Sequence, residues 1–266
     1  MPKNIPFVPA DDLSKLWRAI IEFDMLAPGD RILVGLSGGK DSMLLTAMLA
    51  EIKKFSPIPF DLACYTVNAM FAPNFPKQEL MDFCAHYGVE HYSGDVDIMS
   101  AHAQKGGSPC FTCAYFRRAA TNRRAKELGF NKVALAHHND DAVETFFMNV
   151  MTSGQLRTFL PVTPLSRSGI TVLRPLLYYR EQEICDLVAK LGIKPLKNPC
   201  PYDGHTMRQD VKEHIAELNE RYPEVYDHLL AAMRSSDKQE LWPAKPTDKE
   251  MVAKFRAFWK RKPKET

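Results

Sequence analysis

The sequence predicts an α/β protein with a doubly wound, mainly parallel sheet and peripheral helices. Short apolar segments typical of buried strands alternate along the chain with longer segments of helical periodicity. Strands that alternate with helices form parallel βαβ units, and such sheets bind ligands at the carboxyl ends of their strands. Two polar segments, 37–42 and 137–141, directly follow predicted strands. We therefore expect these two segments to contribute to one shared site.

The predicted elements follow one another in a regular order, beginning with a helix at residues 11–23 that ends before Pro28 and Gly29. Strands are predicted at 32–34, 60–67, 90–92, 132–136 and 172–176, and further helices at 43–55, 76–87, 116–128, 142–151, 179–191, 206–218 and 222–235. A helical tail rich in lysine, proline and tryptophan is predicted at 238–266. The chain is thereby divided into an N-terminal helical extension (1–30), an α/β domain (31–205) and a C-terminal helical segment and tail (206–266).

The composition fits one sizeable α/β core, because 45% of the 266 residues are hydrophobic. No apolar run approaches the roughly 18 residues of a membrane-spanning helix, and the sequence after Met1 lacks the apolar segment of a signal peptide. We therefore expect a cytoplasmic protein without membrane contact. In that compartment, six cysteines favour thiols, metal ligation or catalysis over disulfides. The net charge of +3 is too small to indicate a nucleic-acid partner by itself.

The segment 37–42, with the sequence Ser-Gly-Gly-Lys-Asp-Ser, has the pattern of a phosphate-binding loop. It lies between a predicted strand and a predicted helix, so free backbone N–H groups at the helix start are available to an anion. The two glycines let the backbone approach a phosphate closely, and the serines and the lysine add further donors. The segment is not a Walker loop. In that loop the lysine lies six positions after the first glycine and is followed by serine or threonine, whereas Lys40 lies five positions after Gly35 and is followed by Asp41.

Three of the six cysteines are candidate ligands. Cys110 and Cys113 form a C-x-x-C motif, and Cys200 lies between two prolines. The motif alone is compatible with a redox pair, half of a zinc site or iron–sulfur ligation. Three thiolates are what an iron–sulfur cluster with one open iron would need, whereas a structural zinc would need a fourth ligand. The remaining cysteines, at 64, 84 and 185, are predicted to be small buried hydrophobic residues.

Four motifs together resemble the tRNA 2-thiocytidine synthetase family of PP-loop (N-type) ATP pyrophosphatases, whose fold is HUP-like. They are the segment 37–42, the C-x-x-C motif followed by Arg117 and Arg118, the segment His137-His138-Asn139-Asp140-Asp141, and Cys200. The resemblance covers residues 15–235, and the order and spacing of all four motifs fit. Many members carry a second cysteine shortly after the late one, whereas residues 201–203 contain none.

The resemblance implies a tRNA sulfurtransferase that forms AMP and pyrophosphate. ATP would adenylate a pyrimidine carbonyl, with 2-thiolation of cytidine in tRNA as the favoured reaction, and sulfur would then replace the oxygen. The implied cofactors are ATP, Mg²⁺ and a [4Fe–4S] cluster. The implied partners are tRNA, a cysteine desulfurase or other sulfur donor and, by resemblance alone, a second copy of the chain.

The resemblance also implies roles for individual residues. The cluster would be held by Cys110, Cys113 and Cys200, and pyrophosphate by Ser37, Gly38, Gly39, Lys40 and Ser42. Mg²⁺ would be bound, or the phosphates oriented, by Asp41 with one or both of Asp140 and Asp141. Arg117 would meet the substrate or adenylate phosphate, and the nucleotide site would include Asn68 and His138. The three cysteines, the three aspartates and the arginine are thus the expected catalytic residues. The adjacent aspartates are also compatible with simple capping of the helix that follows them.

Three other functions stay open at this point. The substrate could be a free base or another small molecule, because the low net charge and the lack of a recognisable RNA module favour no nucleic acid. The basic set Arg117, Arg118, Arg123, Arg124 and Lys126 is equally compatible with RNA binding and with a solvated helix face. A PP-loop ligase of the lysidine synthetase type would not need the cysteines. A zinc-stabilised nucleotide-binding module would have no catalytic activity.

Overall fold

The computed structural model describes residues 7–71, 75–98, 100, 109–196, 207–234 and 242–260, with only the backbone described at 109–110. Within them, the chain forms a six-stranded sheet with helices on both faces. The strands are β1 (Asp30–Gly35), β2 (Phe60–Asn68), β3 (Glu90–Asp95), β4 (Lys132–Ala134), β5 (Val162–Leu165) and β6 (Ile170–Leu173). The helices are α1 (Ser14–Glu22), α2 (Lys40–Lys53), α3 (Lys77–His86), α4 (Pro109–Glu127), α5 (Asn139–Ser153), α6 (Glu181–Lys190), α7 (Met207–Arg221), α8 (Val225–Ala232) and α9 (Asp248–Trp259).

The strand order is β3-β2-β1-β4-β6-β5, and only β5 runs antiparallel to its neighbour. The central strand β1 pairs with β2 on one side and β4 on the other, so Leu33 lies between Ala63 and Val133. The chain winds outward through β2 and β3 and then returns to the other side of β1 at β4. This reversal is the topological switch point of a doubly wound sheet, where ligands bind. The predicted fold class is confirmed.

The two faces of the sheet are covered differently. Ile32 and Val34 belong to the main core, which includes buried side chains from α1, α2, α3, α5, α6 and α7. Leu33, whose side chain points the other way along the same strand, belongs to a smaller cluster with Tyr65 and Ala125. That smaller face is covered mainly by α4. Because the sheet is wider than this one helix, space remains between the first half of α4 and the strands.

Besides small differences at the ends of several elements, the structure differs from the prediction at β5, β6 and α4. The short strand β5 was not predicted, because Pro164 and only four residues give a weak strand signal. Strand β6 begins two residues earlier than predicted, at Ile170. Helix α4 begins at Pro109 and not at 116, since proline is favoured in the first turn of a helix. The C-x-x-C motif therefore lies within the helix and not before it.

Helix α9 packs against α1. The ring of Trp17 lies 5.6 Å from that of Phe258 and 5.1 Å from that of Trp259, measured between centroids. Lys254 Nζ donates to the carbonyl oxygen of Glu22 at 2.8 Å, which satisfies a carbonyl at the end of α1. In the part of the chain that the structure describes, no helix combines the length and the apolar character needed to cross a membrane.

Candidate active site

The loop after β1 is held in shape by its own serines. Ser42 Oγ accepts a hydrogen bond from the backbone N–H of Ser37 at 3.1 Å and lies 3.0 Å from Ser37 Oγ. It also donates to the carbonyl oxygen of Gly39 at 3.0 Å. Gly38 has a φ of +86°, which glycine adopts without strain. These contacts fix a tight turn whose backbone N–H groups surround the N-terminus of α2.

The chain approaching the late cysteine contacts this loop directly. The backbone N–H of Leu196 donates to the carbonyl oxygen of Gly38 at 2.9 Å. A Cβ atom at position 38 would lie only 3.0 Å from Leu196 Cδ1. Residues 197–206, which include Cys200, lie outside the described residues. The last described residue before that segment therefore rests on the phosphate-binding loop.

Lys40, the first residue of α2, is held by two carboxylates. Its Nζ lies 3.0 Å from Asp41 Oδ1 and 3.1 Å from Glu181 Oε1. Burial alone would lower the pKa of Lys40, but Asp41 and Glu181 outweigh it and raise the pKa above its ordinary value. Glu181 also pairs with Lys212 of α7, and its pKa lies below the ordinary range because the two lysines outweigh the effect of burial. An ion-pair chain thus connects α2, α6 and α7.

Asp140, the second residue of α5, is buried and fully engaged. Its Oδ1 accepts from Arg180 Nε at 3.0 Å, and its Oδ2 accepts the backbone N–H of Glu181 at 2.7 Å. Burial would raise the pKa of Asp140, but bonds with His138, Arg180 and Glu181 keep it well below its usual range. Asp140 therefore anchors the start of α6 to the start of α5.

Asp141, the next residue, points into the space in front of the loop. Its Oδ2 accepts the backbone N–H of His138 at 3.0 Å, and its Oδ1 accepts from Arg208 Nη1 at 2.8 Å. Arg208 Nη1 also lies 3.3 Å from Glu144 Oε2. Although burial opposes ionisation, the charges of His138 and Arg208 lower the pKa of Asp141. Asp141 is therefore an ionised carboxylate at the carboxyl edge of the sheet.

His138 lies between the acidic residues of the site. Its Nε2 is 3.5 Å from Asp141 Oδ2 and 4.0 Å from Asp41 Oδ1, and its Nδ1 is 3.6 Å from Asp140 Oδ2. Burial would lower the pKa of His138, but the three carboxylates outweigh burial and raise it. His138 can therefore hold Asp41 and Asp141 together by carrying a positive charge between them.

A cavity of about 880 Å³ opens from the loop and extends between α4 and the sheet. Six of the predicted site residues line it: Ser37, Asp41, Ser42, Cys113, Arg117 and Asp141. They come from the loop after β1, from the first half of α4 and from the start of α5. The two segments 37–42 and 137–141 thus meet at the switch point, as their positions after strands predicted. A volume of this size is typical of a site for a small ligand or cofactor.

Other predicted site residues lie beside the cavity and do not line it. Asn68 uses its side chain to donate to Asp95 at 2.9 Å and to accept from the backbone N–H of Met70 at 3.0 Å. Its neighbours Val67 and Phe71 line the cavity. Gly38, Gly39, Lys40, His138 and Asp140 form the framework of the loop and of the α5 start. The side chain of Cys110 and all of Cys200 fall outside the described residues.

Three residues that complete the site are not among those that the sequence motifs predict. Arg208 and Lys212 lie one helical turn apart on α7 and reach Asp141 and Glu181 respectively. Glu144 is buried beneath Arg208, and burial raises its pKa to about 7 despite that neighbour. These partners are separated from the loop by long stretches of chain. The signal that the sequence contains for them is the spacing of Arg208 and Lys212 at i and i+4.

Cys113 is the one expected cysteine ligand whose side chain the structure describes. Cys113 lines the cavity, and Leu196 brings the chain within four residues of Cys200 onto the loop that borders the same cavity. Among the described side chains, no group of three or more histidine, cysteine, aspartate or glutamate residues is arranged to hold a metal ion. Two of the three expected cysteine ligands lie outside those residues.

Comparison with known proteins gives the family. The PP-loop domain family matches residues 13–218. The tRNA-cytidine(32) 2-sulfurtransferase of Ralstonia pickettii (strain 12J) is 34% identical over 226 residues, which cover 84% of this chain and 71% of that protein. The chain belongs to the tRNA 2-thiocytidine synthetase family of PP-loop proteins. A second member, from Dichelobacter nodosus (strain VCS1703A), is 36% identical over 222 residues, covering 81% of this chain and 82% of its own length.

The fold is shared with a solved structure. The U34-tRNA thiolase NcsA from Methanococcus maripaludis, described with its [4Fe-4S] cluster, aligns with a TM-score of 0.66 at 22% identity. The alignment covers 81% of this chain and 75% of that one. The resemblance based on the four sequence motifs is thus confirmed. As a member of the tRNA 2-thiocytidine synthetase family, the chain is an enzyme of the tRNA sulfurtransferase class.

Proposed function

We propose that the enzyme thiolates C2 of a cytidine in tRNA through an adenylated intermediate. The O2 atom of the base attacks the α-phosphorus of ATP, and pyrophosphate leaves. A sulfur nucleophile then attacks C2, the C2–O2 bond breaks, and AMP leaves with that oxygen. The observation that supports this proposal is the common cavity, in which the phosphate-binding loop faces Cys113 and Arg117. A site for ATP activation and a site for sulfur chemistry thus border one space.

In this proposal the loop holds the pyrophosphate part of ATP. The backbone N–H groups at the start of α2 and the hydroxyls of Ser37 and Ser42 are already oriented by the loop's internal hydrogen bonds. Lys40 adds a permanent positive charge. Donors that need no reorganisation stabilise the charge that develops on the phosphates in the transition state. The adenosine would lie towards the end of β2, beside Asn68.

Mg²⁺ would be bound by Asp41 and Asp141. Both line the cavity, and carboxylates are the usual magnesium ligands of proteins. Asp140 would act differently, since it does not line the cavity and its oxygens accept from Arg180 and from the backbone of Glu181 at the start of α6. We assign Asp140 a structural role, which is to join the start of α5 to the start of α6. Arg117, in the same cavity, would contact the α-phosphate of the adenylate.

Cys110, Cys113 and Cys200 would together hold a [4Fe–4S] cluster. When bound, such a cluster supplies an iron without a protein ligand, which can present sulfur to the activated base. Cysteines 110 and 113 are three positions apart on α4, the helix that covers the cavity. A cysteine desulfurase or another donor would supply the sulfur. Arg118, also at the cavity wall, would neutralise phosphates of the tRNA near the target nucleotide.

The proposal is tested with protein purified anaerobically and incubated with ATP, Mg²⁺, a sulfide source and an unmodified tRNA transcript. The expected result is 2-thiocytidine in the digested tRNA, together with brown protein that absorbs in the blue–violet range. Cys113→Ala should abolish both signals. Cys185→Ala is the matched control, since Cys185 lies on α6 and does not line the cavity. Full activity of Cys113→Ala, or no thionucleoside with the colored wild-type protein, would contradict the proposal.

A further inference from the structure

The cavity extends beyond the loop into a second region, the distal lobe, which the proposed function leaves without a ligand. It lies between α4 and the strands β4, β6 and β5, and its walls include Val133, Leu135, Thr163, Leu165, Val172 and Arg174. The proposed function places adenosine on the opposite side of β1, towards β2. Most of the distal lobe is apolar strand surface. A planar, largely apolar group with a few polar edges would fit such a surface.

Arg174, directly after β6, brings a charge into this lobe. Its Nη1 donates to the carbonyl oxygen of Leu160 at 2.6 Å and to Thr163 Oγ1 at 3.0 Å, and its guanidinium lies 4.9 Å from the ring centroid of Phe159. These contacts fix the side chain. Its Nε is buried and has no hydrogen-bond acceptor among the described residues. A buried donor without a partner is costly, so its presence here points to an acceptor supplied by a ligand.

His137 provides a second, independent sign of a ligand. It lines the same cavity, and its ring lies 5.1 Å from that of Phe159. Its Nδ1 is buried and likewise lacks a partner within the described part of the chain. Burial lowers the pKa of His137 to about 4, so the ring is neutral at pH 7. Two side chains fixed against one aromatic ring thus each carry a buried polar atom that has no partner among the described residues.

We propose that the distal lobe binds the base to be thiolated and that the guanidinium of Arg174, which lines this lobe, selects cytosine over uracil. The proposal rests on the proposed function, because it takes the base as the second substrate. An enzyme that modifies a base must first bring that base out of its stack, and the lobe would receive it. Cytosine carries a lone pair on ring atom N3, which accepts from a fixed N–H donor. Uracil carries a hydrogen on N3, so two donors would face each other.

The expected discrimination is large. A site built around one buried hydrogen bond rejects an analogue that cannot form it by as much as about 10⁴-fold. In Arg174→Gln, the carboxamide presents an acceptor as well as donors and can pair with either base. The ratio of kcat/KM for transcripts that carry cytidine or uridine at the target position should therefore fall by at least about 100-fold. This ratio does not depend on the fraction of folded protein, so it remains informative if the variant is partly unfolded.

Two further variants sharpen the experiment. Arg167→Gln makes the same chemical change on the exposed turn between β5 and β6, and it should leave the ratio unchanged. Thr163→Val keeps the guanidinium but removes one of the two acceptors that fix it. We expect this variant to lower the ratio by about tenfold, which corresponds to one ordinary hydrogen bond.

The outcomes separate this inference from the proposed function. If the wild-type enzyme forms no thionucleoside from the cytidine transcript, the proposed function fails and the inference fails with it. If the wild-type enzyme thiolates cytidine and Arg174→Gln keeps the same ratio, only the inference is overturned. Binding of a non-hydrolysable ATP analogue provides the last test. In Arg174→Gln, the ratio of kcat/KM values could stay unchanged while the affinity for ATP falls tenfold or more. This result would show that the lobe holds the nucleotide, which also overturns the inference.

Discussion

Arg208 and Asp141 form an ion pair of 2.8 Å that joins α7 to the start of α5. Arg208 lies in the first turn of α7, the helix that follows segment 197–206 with its late cysteine. Asp141 is the carboxylate that we propose as a magnesium ligand. A single side chain therefore connects the first turn of α7 to the phosphate end of the site. Arg208 also neutralises Glu144, so its loss would expose two acidic groups to each other.

Replacing Arg208 by alanine should destabilise the protein. The change leaves Glu144 buried beside Asp141 without its counter-charge, and removing one partner of a buried pair is strongly unfavourable. Because Arg208 is itself partly exposed, we expect a loss of about 2 kcal/mol in the free energy of unfolding, below the range for fully buried pairs. Urea denaturation at pH 7.5 measures it. The control Arg221→Ala, at the exposed end of the same helix, should change the value by less than about 0.5 kcal/mol.

Glu144 should make the stability depend on pH. Its pKa of about 7 in the folded protein lies above the ordinary value of 4.5. Between these two pH values the unfolded chain loses the proton first, so the wild-type protein loses stability as the pH rises and levels off above pH 7. Glu144→Gln does not titrate. Its free energy of unfolding relative to wild type should therefore rise by on the order of 2 kcal/mol from pH 5 to pH 8.

The measurement is urea denaturation of both proteins at pH 5 and pH 8, read as a double difference. Effects of other titrating groups appear in both proteins and cancel to first order. A double difference near zero, or one of opposite sign, would contradict the raised pKa of Glu144.

Gly38→Ala should weaken ATP binding more than it weakens the fold. The positive φ costs an alanine about 1 kcal/mol, and the new Cβ would press on Leu196 at 3.0 Å. The loop or the Leu196 segment must then shift. We expect at least a tenfold loss of affinity for a non-hydrolysable ATP analogue, measured by calorimetry. Gly169→Ala is the matched control, since Gly169 has a φ of +72° and no described atom within 4 Å of the added Cβ. This variant should lose about 1 kcal/mol in the free energy of unfolding, because of its positive φ, and keep its affinity for ATP.

Asp140→Asn and Asp141→Asn should separate positioning from magnesium binding. Asp141→Asn removes a proposed ligand charge, so the Mg²⁺ concentration for half-maximal thiolation should rise at least tenfold. Asp140→Asn weakens the link to Arg180 and to the α6 start, and it should lower the melting temperature with little change in the Mg²⁺ requirement. Equal shifts in the Mg²⁺ requirement would show that Asp140 is itself a ligand.

The sequence contained the central features of the fold, because they are encoded locally. A short apolar run followed by glycines and a helix is sufficient to place β1 and the loop, and parallel topology then brings residue 141 to the same edge. Capping of the following helix, the simpler interpretation of the two aspartates, applies to only one of them. Asp141 does accept the backbone N–H of His138. Asp140 satisfies the start of a different helix, α6, which no local pattern could indicate.

The rest depends on contacts between distant parts of the chain. The pair Arg208–Asp141 spans 67 residues, and its distance follows from how α7 packs after a segment without a strong pattern. Strand β5 has only four residues and contains a proline, so its own sequence does not predict a strand. It forms because it pairs with the open edge of β6. The two buried polar atoms of Arg174 and His137 could be recognised only after their neighbours were known.

The double engagement of Lys40 has a consequence for which anions the loop accepts. An arriving anion does not find an unoccupied cation, since Asp41 and Glu181 already lie 3.0 and 3.1 Å from the ammonium group. It must compete with two carboxylates for that charge. A singly charged ion such as chloride or acetate offers less than it displaces. A triphosphate offers several oxygens at once to the lysine and to the loop amides. The ion pairs of Lys40 with Asp41 and Glu181 therefore weaken the binding of singly charged anions more than the binding of highly charged ones.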